Sequence, residues 1–378
     1  MIEISLILLV LMLIVAIENI VNGPDLRKKQ DGKGFLKVSI LIPARNEVDV
    51  LESCLESLVK QKYADFEIIV LNDQSTDSTG DVIKQYAGMY HTVRGVEGSP
   101  VPDGWIGKNW ACWQLSLEAS GDILFFTDAD TIHRPDSVSH AVSWMQSRQA
   151  EAFSVFPQQI TGTTAEKLLV PLIDFILYSL LPLRLIYKSS FPSLSAANGQ
   201  LLVFTRRAYN SIGGHQAVKN KIVEDVELFR KAKSIKLKAM TVSGTGVVFC
   251  RMYRGQRQLM NGLTKILFGL TGNKIVALLI FTGIMFMANL YPFVYLFSQK
   301  FTIALFIPAG MVLIIRLAVA LRYRHPAFIS VFLHPLAVTI IIFMAFNSFL
   351  KTKWGRFEWK GRDIVLKKIN HYPNHIIK

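Results

Sequence analysis

The feature that most constrains the fold is the placement of long apolar segments at the two ends of the chain. Residues 2–21 read IEISLILLVLMLIVAIENIV, close to the ~20 residues that a helix needs to cross a bilayer. Three further apolar runs, 275–297, 301–321 and 328–350, lie in the C-terminal third. With 51% hydrophobic and 19% charged residues, the chain is more apolar than an ordinary soluble protein. The pattern predicts a membrane protein whose middle part folds outside the bilayer.

The first apolar run is either an uncleaved anchor or a signal peptide. A signal peptide has basic residues before its apolar core, whereas here Glu3 precedes the core and Arg27, Lys28 and Lys29 follow the run. We therefore expect residues 1–22 to be a transmembrane anchor. Because basic residues favour the cytoplasmic side, we expect a multi-pass protein of the cell membrane with its middle part in the cytoplasm.

The C-terminal part conflicts with this charge rule. Three spans after a cytoplasmic middle part would place the tail 351–378 outside the cell, although the tail is strongly basic. We therefore expect one apolar run to be re-entrant or interfacial. His334-Pro335 makes the last run a candidate, and residues 168–187 are a further candidate for a segment that lies on the membrane surface.

The net charge of +14 fits either a nucleic acid or an anionic lipid as partner. Lys and Arg cluster beside the apolar runs and not along one soluble helix, which favours lipid headgroups. We expect a membrane partner and no nucleic acid.

Strand-like and helix-like segments alternate from residue 37 to about 253, which indicates an α/β domain with a mostly parallel central sheet. After the strand FEIIVLN, Ser75 or Thr76 is expected to cap the next helix. The predicted organisation is an N-terminal anchor (1–22), the α/β domain (37–253), an amphipathic interfacial segment (254–274), a transmembrane region (275–350) and a basic tail (351–378).

Polar and charged side chains that could bind a ligand lie at the predicted strand ends, where open α/β sheets bind their ligands. PARNE, residues 43–47, follows the first strand, Asp73 follows the second, and Asp128 and Asp130 follow DILFFT. Two carboxylates one residue apart repel each other unless a cation balances them, and oxygen ligands suit Mg²⁺ or Mn²⁺. Such an ion shares its coordination with substrate phosphates, so the pair predicts a metal-dependent nucleotide site.

Other charged residues have two interpretations each. Lys108 in GWIGKNWACWQ is either a phosphate partner at a helix start or a solvated lysine. Glu224 and Asp225 are either functional or an ordinary acidic first turn of a helix. Arg254 and Arg257 either neutralise a departing nucleotide diphosphate or anchor the chain at the edge of the bilayer.

The order of these motifs resembles the inverting glycosyltransferases of family 2, which have the GT-A fold. PARNE, NDQSTD, a GK before a helix, DAD, GGH and VEDVEL occur in the family's order, and the resemblance covers about residues 37–270. Within the family the chain is most similar to membrane-bound enzymes that glycosylate polyisoprenoid or other lipids. The N-terminal anchor, RMYRGQRQLMNGLTK and the terminal FEWKGR resemble those of bacterial carotenoid glycosyltransferases.

The resemblance implies a nucleoside pocket lined by Pro43, Ala44, Glu47 and Asp73. It also implies that Asp128 lies near the ribose or diphosphate, that Asp130 binds the metal directly and that Asp225 is the general base.

Two departures from the family pattern matter. The family often has DDGSTD where this chain has NDQSTD, and the residue after Arg257 is Gln258 where polymerising members have tryptophan. The missing tryptophan argues against a polymerising synthase.

The expected function is one inverting transfer of a hexose, from UDP-glucose, to a membrane lipid such as a carotenoid acid or another polyisoprenoid. Alternatives are a glycerolipid, sphingolipid-like or hopanoid acceptor, or a non-catalytic membrane protein that senses a nucleotide. The presence of both Asp130 and Asp225 favours an enzyme.

Overall fold

Strands and helices alternate through the middle of the chain, and further helices surround this part. The computed structural model describes residues 1–31, 36–297, 305–354, 356–359 and 362–365, so residues 301–304 of the third apolar run and most of the predicted tail lie outside the described residues. The strands are β1 Val38–Ala44, β2 Phe66–Asn72, β3 Val93–Glu97, β4 Ile123–Thr127, β5 Thr131–His133, β6 Ala152–Gln159, β7 Leu201–Thr205, β8 Ala239–Cys250, β9 Arg356–Trp359 and β10 Arg362–Val365. The helices are α1 Ile2–Asn22, α2 Val48–Val59, α3 Thr79–Met89, α4 Gly107–Glu118, α5 Ser137–Arg148, α6 Thr164–Leu180, α7 Leu183–Lys188, α8 Arg206–Ser211, a 3-10 helix Gly214–Val218, α9 Glu224–Ser234, α10 Gln256–Leu270, α11 Ile275–Asn289, α12 Tyr291–Tyr295, α13 Phe306–Arg322, α14 Ala327–Phe332 and α15 His334–Trp354.

The central sheet is mixed. Its eight strands have the order β3-β2-β1-β4-β7-β6-β8-β5. β1 to β4 pair in parallel, β7 runs antiparallel to both β4 and β6, β8 is parallel to β6, and β5 is antiparallel to β8. The prediction of a mostly parallel sheet therefore holds only for the half of the sheet formed by β1 to β4. The strand order reverses direction between β1 and β4, which is where open α/β sheets form a ligand crevice.

Helices cover both faces of the sheet at β1 and β4, which explains why these two strands are apolar at almost every position. On one face, Ile40 of β1 packs in the same core as Leu55 of α2. On the other face, Leu41 of β1 and Phe126 of β4 share a core with Leu115 of α4. The sheet is thus held rigidly from both sides, and the loops at its carboxyl edge start from fixed positions.

The prediction that Ser75 or Thr76 caps α3 is wrong. The helix begins at Thr79, and Asp77 accepts hydrogen bonds from the backbone N–H of Thr79 at 3.0 Å and from its hydroxyl at 2.5 Å. Ser75 Oγ instead accepts from the backbone N–H of Asn46, and Asn46 Oδ1 accepts from the backbone N–H of Thr76. These bonds tie the loop after β1 to the loop after β2.

Residues 168–187, a candidate for a segment on the membrane surface, form α6 and α7 and are largely buried within the protein. α6 packs against α1, α13 and α15. Leu172, Phe175 and Tyr178 on α6 are buried in a second core made mostly of helices. Because its residues are apolar around most of its circumference, α6 is buried rather than amphipathic and exposed.

Within the described residues, two helices are long and apolar enough to span a membrane, namely α1 and residues His334–Lys353 of α15. α10 and α11 pass the same test only together, and they are bent by 114° at the break between them. Several C-terminal spans are therefore not confirmed. The last apolar run, 328–350, is divided at Leu333 into α14 and α15, and His334-Pro335 begins α15.

A buried carboxylate joins the N-terminal helix to the sheet. The residues on either side of Asp25 exchange backbone hydrogen bonds of 2.9 and 3.0 Å with Ser243 on β8. The Asp25 side chain is 1% exposed and accepts hydrogen bonds from Arg27 at 2.6 Å and from Arg322, in the last turn of α13, at 2.7 Å. α1, α13 and the sheet therefore meet at one acidic residue.

Candidate active site

A cleft of about 790 Å³ opens at the carboxyl edge of β1 and β4 and continues along α6 and α10. All of the side chains that the sequence singled out line this cleft: Pro43, Ala44, Glu47, Asp73, Lys108, Asp128, Asp130, Glu224, Asp225, Arg254 and Arg257. They come from six separate parts of the chain. The structure thus brings the predicted set together, while the role of each residue stays a prediction.

The loops after β1 and β2 form one end of the cleft. Asp73 is 1% exposed, and its backbone N–H donates to the carbonyl of Ala44 at 2.8 Å. Arg45, which sequence reasoning did not single out, donates from Nη1 to the carbonyls of Asp73 at 2.7 Å and Gln74 at 2.9 Å. Gln74 has a φ of 55°, a conformation that glycine adopts more readily, at the position where the family pattern has glycine.

Lys108 lies between two carboxylates at the start of α4. Its Nζ is 2.8 Å from Asp128 Oδ1 and 3.3 Å from Glu224 Oε1. Burial would lower the pKa of Lys108, but the charges of Asp128 and Glu224 outweigh it and raise the pKa well above its usual value. Lys108 is therefore a permanent cation in the cleft and not a solvated lysine. The negative charge of Asp128 is already balanced.

In contrast to Asp128, Asp130 is not paired with Lys108. Its Oδ1 is buried and has no hydrogen-bond partner among the described residues. Burial, followed by the neighbouring Asp128 and Glu47 carboxylates, raises the pKa of Asp130 to about 7. A buried carboxylate oxygen without a partner is costly in a folded protein, and a cation beside it removes the cost. The residues present therefore fit a divalent ion at Asp130.

No group of three or more His, Cys, Asp or Glu side chains that could hold a metal occurs in the part of the chain that the structure describes. An ion at Asp130 would complete its coordination with water and with ligand oxygens, which is how Mg²⁺ commonly binds.

Glu224 and Asp225 begin α9. Asp225 Oδ2 accepts a hydrogen bond from the backbone N–H of Gly199 at 2.8 Å, and Oδ1 accepts from its neighbour Val226 at 2.8 Å. Burial, and then the charge of Glu224, raise the pKa of Asp225 to about 7. Asp225 is fixed in orientation and titrates near neutral pH, as a general base should.

Arg254 and Arg257 lie on either side of the start of α10, in a loop held by Glu166. This carboxylate, 1% exposed at the start of α6, accepts from the backbone N–H groups of Gly162 and Gly255 at 2.7 Å each and from Arg251 Nε at 3.3 Å. Burial would raise the pKa of Glu166, but these hydrogen bonds lower it to about 2.

Sequence reasoning missed Glu166. The spacing Thr163-x-x-Glu166 is that of a helix capping box, which was the available signal. The second partner, Gly255, has a φ of 101° and is 89 residues away, so nothing in the local sequence indicates it.

The far wall of the cleft is partly apolar. Val170 and Ile173 of α6 and Ile266 of α10 line it, next to the core that these helices share with α1, α13 and α15. Asp174 of α6 and Asn261 and Lys265 of α10 line the same part of the cleft. The cleft therefore joins a charged end at the sheet to an end at the helices that has both apolar and polar side chains.

This mixed sheet, with its cleft at the carboxyl ends of β1 and β4 and paired carboxylates at its mouth, defines the chain as a GT-A protein. A mannosyltransferase of Pyrobaculum calidifontis, solved in complex with GDP-Man and Mn²⁺, has the same fold. The TM-score is 0.59 at 18% identity, over 93% of this chain and 99% of that one.

The sequence model of the family described as "Glycosyl transferase family 2" matches residues 39–213. A 4,4'-diaponeurosporenoate glycosyltransferase of Staphylococcus haemolyticus is 28% identical over 248 residues, which are 63% of this chain and 63% of that protein, or less than two thirds of its length. The enzyme of the same description from Staphylococcus aureus strain MRSA252 is 28% identical over 351 residues, 88% of this chain and 89% of that protein. Over residues 39–213, just under half of its length, the chain is thus similar to the glycosyltransferases of family 2.

Proposed function

We propose that the protein transfers one hexose, with inversion, from UDP-glucose to a lipid acceptor such as a carotenoid acid or another polyisoprenoid. The observation that carries this proposal is one cleft that joins the charged strand ends to a wall with apolar side chains of α6 and α10, which pack beside the long apolar helices. A polar donor fits the first part and a lipid fits the second. The names of the staphylococcal relatives support an acidic carotenoid as acceptor.

The donor nucleotide would lie against the loops after β1 and β2. Asp73 would accept hydrogen bonds from the base or the ribose, with Pro43, Ala44 and Glu47 around it. Arg45 would keep the Asp73 loop in place through the two carbonyls that it binds.

Asp130 would hold a divalent ion, Mg²⁺ or Mn²⁺, which when bound supplies positive charge beside the leaving diphosphate. Lys108, Arg254 and Arg257 would add fixed positive charge on the protein side of the same group. Guanidinium groups are well suited to this because they bind phosphate oxygens in pairs.

The chemical step forms a bond between the acceptor oxygen and the anomeric carbon and breaks the bond between that carbon and the diphosphate oxygen, so UDP leaves. With an alcohol acceptor, Asp225 takes the hydroxyl proton. With a carboxylate acceptor the nucleophile is already ionised, and Asp225 has no proton to take.

We propose that α1 (1–22) and the region 275–350 hold the protein in the cell membrane, with residues 37–253 in the cytoplasm. Residues 254–274, which include α10, would lie at the interface, where a water-insoluble acceptor can enter the cleft without leaving the lipid. The exposed apolar side chains of α1, among them Ile7 and Ile14, support contact with lipid.

The proposed function is tested by incubating washed membranes that contain the protein with radiolabelled UDP-glucose and analysing the lipid extract. We expect label in a carotenoid acid glycosyl ester or another polyisoprenoid glycoside, and none in membranes that lack the protein. Label in a glycerolipid, sphingolipid or hopanoid would change the acceptor class. No labelled product with any nucleotide sugar and any of these lipids would reject the proposed activity.

Glu166→Ala is expected to raise the KM for the donor about 10-fold, because the arginine loop loses one buried charged anchor worth about 1.5–3 kcal/mol. Glu166→Gln keeps one acceptor oxygen and should recover part of the loss. Steady-state kinetics and thermal unfolding of the purified protein measure both effects. The control is Glu118→Ala, which breaks an exposed ion pair outside the cleft. Equal KM values with a lowered Tm would show a purely structural role.

A further inference from the structure

A short segment before β7 crosses the cleft between the two groups of acidic residues. The backbone N–H of Gly199 donates to Asp225 Oδ2 at 2.8 Å. One residue later, the carbonyl of Gln200 accepts from Thr127 Oγ1 at 3.0 Å and from the backbone N–H of Asp128 at 3.3 Å. The Gln200 backbone is therefore fixed from both sides.

Gly199 permits this close passage. A Cβ at this position would lie 3.1 Å from Lys108 Nζ and 3.3 Å from Glu224 Oε1, a tight fit against two charged groups. The segment thus runs directly beside the cationic and acidic side chains of the cleft, and Gln200 has little freedom to move.

The Gln200 side chain is 2% exposed and has a defined orientation. Gln159 Nε2 donates to Gln200 Oε1 at 2.8 Å and lies 3.4 Å from the carbonyl of Pro157, which can only accept. Gln159 therefore donates from its NH₂ group, and the atom of Gln200 that accepts this hydrogen bond must be the amide oxygen. The NH₂ group of Gln200 consequently faces away from Gln159.

That NH₂ group is the unexplained feature. Gln200 lines the cleft, and its buried Nε2 has no hydrogen-bond partner in the part of the chain that the structure describes. A buried donor without an acceptor costs about 1–3 kcal/mol, and such a cost at a cleft wall is recovered when a ligand supplies the acceptor.

We propose that Gln200 Nε2 donates a hydrogen bond to a hydroxyl oxygen of the hexose in the nucleotide-sugar donor, so that Gln200 determines donor specificity and Gln159 positions it. This inference rests on the proposed function. The reacting sugar must lie between its diphosphate, near Asp128, and the acceptor oxygen, near Asp225. The Gln200 carbonyl is bonded to the backbone N–H of Asp128, and the preceding residue, Gly199, is bonded to Asp225. A neutral amide donor suits a sugar hydroxyl, whereas the phosphates already have Lys108 and the arginines.

The test compares the affinities of purified wild-type protein for UDP and for UDP-glucose, using calorimetry without any acceptor. We expect the wild type to bind UDP-glucose more tightly than UDP, and Gln200→Met to reduce that preference about 10-fold while leaving UDP affinity unchanged. Gln159→Met should give a smaller loss of the same kind. Gln216→Met, an exposed residue outside the cleft, is the matched control.

Deoxy analogues of UDP-glucose identify the hydroxyl. One monodeoxy analogue should bind the wild type about 10-fold more weakly than UDP-glucose does, and Gln200→Met should not distinguish the two ligands. If wild type prefers UDP-glucose and Gln200→Met keeps the full preference, the inference is overturned while the proposed function stands. If wild type binds UDP-glucose no more tightly than UDP, the inference is also overturned. A wild type that prefers UDP-glucose but transfers no sugar to any lipid contradicts the proposed function alone.

Discussion

Asp225→Asn is expected to lower kcat about 10²–10⁴-fold with an alcohol acceptor and to leave substantial activity with a carboxylic acid acceptor. An alcohol must lose its proton as it attacks, and the asparagine cannot take it. A carboxylate carries no proton at neutral pH, so this acceptor does not need the base that the substitution removes. The measurement is kcat for a polyisoprenoid alcohol and for a matched polyisoprenoid acid.

The dependence of the transfer rate on pH is a second test of Asp225 as the general base. Because burial raises the pKa of Asp225 to about 7, alcohol glycosylation by the wild type should fall as the pH drops below about 7, where this base becomes protonated. The acid acceptor should not show this limb until its own carboxyl group is protonated. Asp81→Asn, on the exposed side of α3, is the control. Equal losses with both acceptors, without a change in Tm, would contradict the role as base.

Asp130→Asn is expected to lower kcat/KM about 10²–10³-fold with either acceptor, because it removes the one negative charge in this turn that Lys108 does not balance. Wild-type activity should disappear when divalent ions are chelated and should return with added Mg²⁺ or Mn²⁺. The variant should require a higher concentration of the same ion.

Asp136→Asn is the matched control for this variant. Asp136 lies six residues further on, pairs with Arg134 and does not line the cleft. Full activity of Asp130→Ala in the presence of a chelator would reject a metal-assisted mechanism for both acceptors.

The residues at strand ends were predictable because two local patterns coincide there. Buried strands such as β1 and β4 are continuous apolar runs, and the next residues, Asp128 among them, are polar. A general rule then places those residues together at the carboxyl edge of the sheet, however far apart they are in sequence.

The partners of those residues were not predictable. Lys108 pairs with Glu224, 116 residues away, and Glu166 binds the N–H of Gly255, 89 residues away. Gln200 was missed because its signal is an absence, a buried NH₂ group without a partner. Such features depend on how distant segments pack, and no short sequence pattern records them.

Apolar length was likewise a poor guide to spanning helices. The run 275–297 becomes α11, which ends at Asn289, and the short α12, which has Pro292 in its first turn. The run 168–187 is apolar because it is buried against other helices. Hydropathy alone does not separate burial in protein from burial in lipid.

The position of Asp25 has a practical consequence for anyone who wishes to prepare a fragment without the N-terminal helix. Deleting residues 1–36 would remove the backbone partner of Ser243 and would leave the guanidinium group of Arg322 without the Asp25 carboxylate. The N-terminal helix is thus part of the folded structure and not a removable extension. Because α1 is also long and apolar, we expect the protein to be purified best with every residue retained and in detergent or nanodiscs.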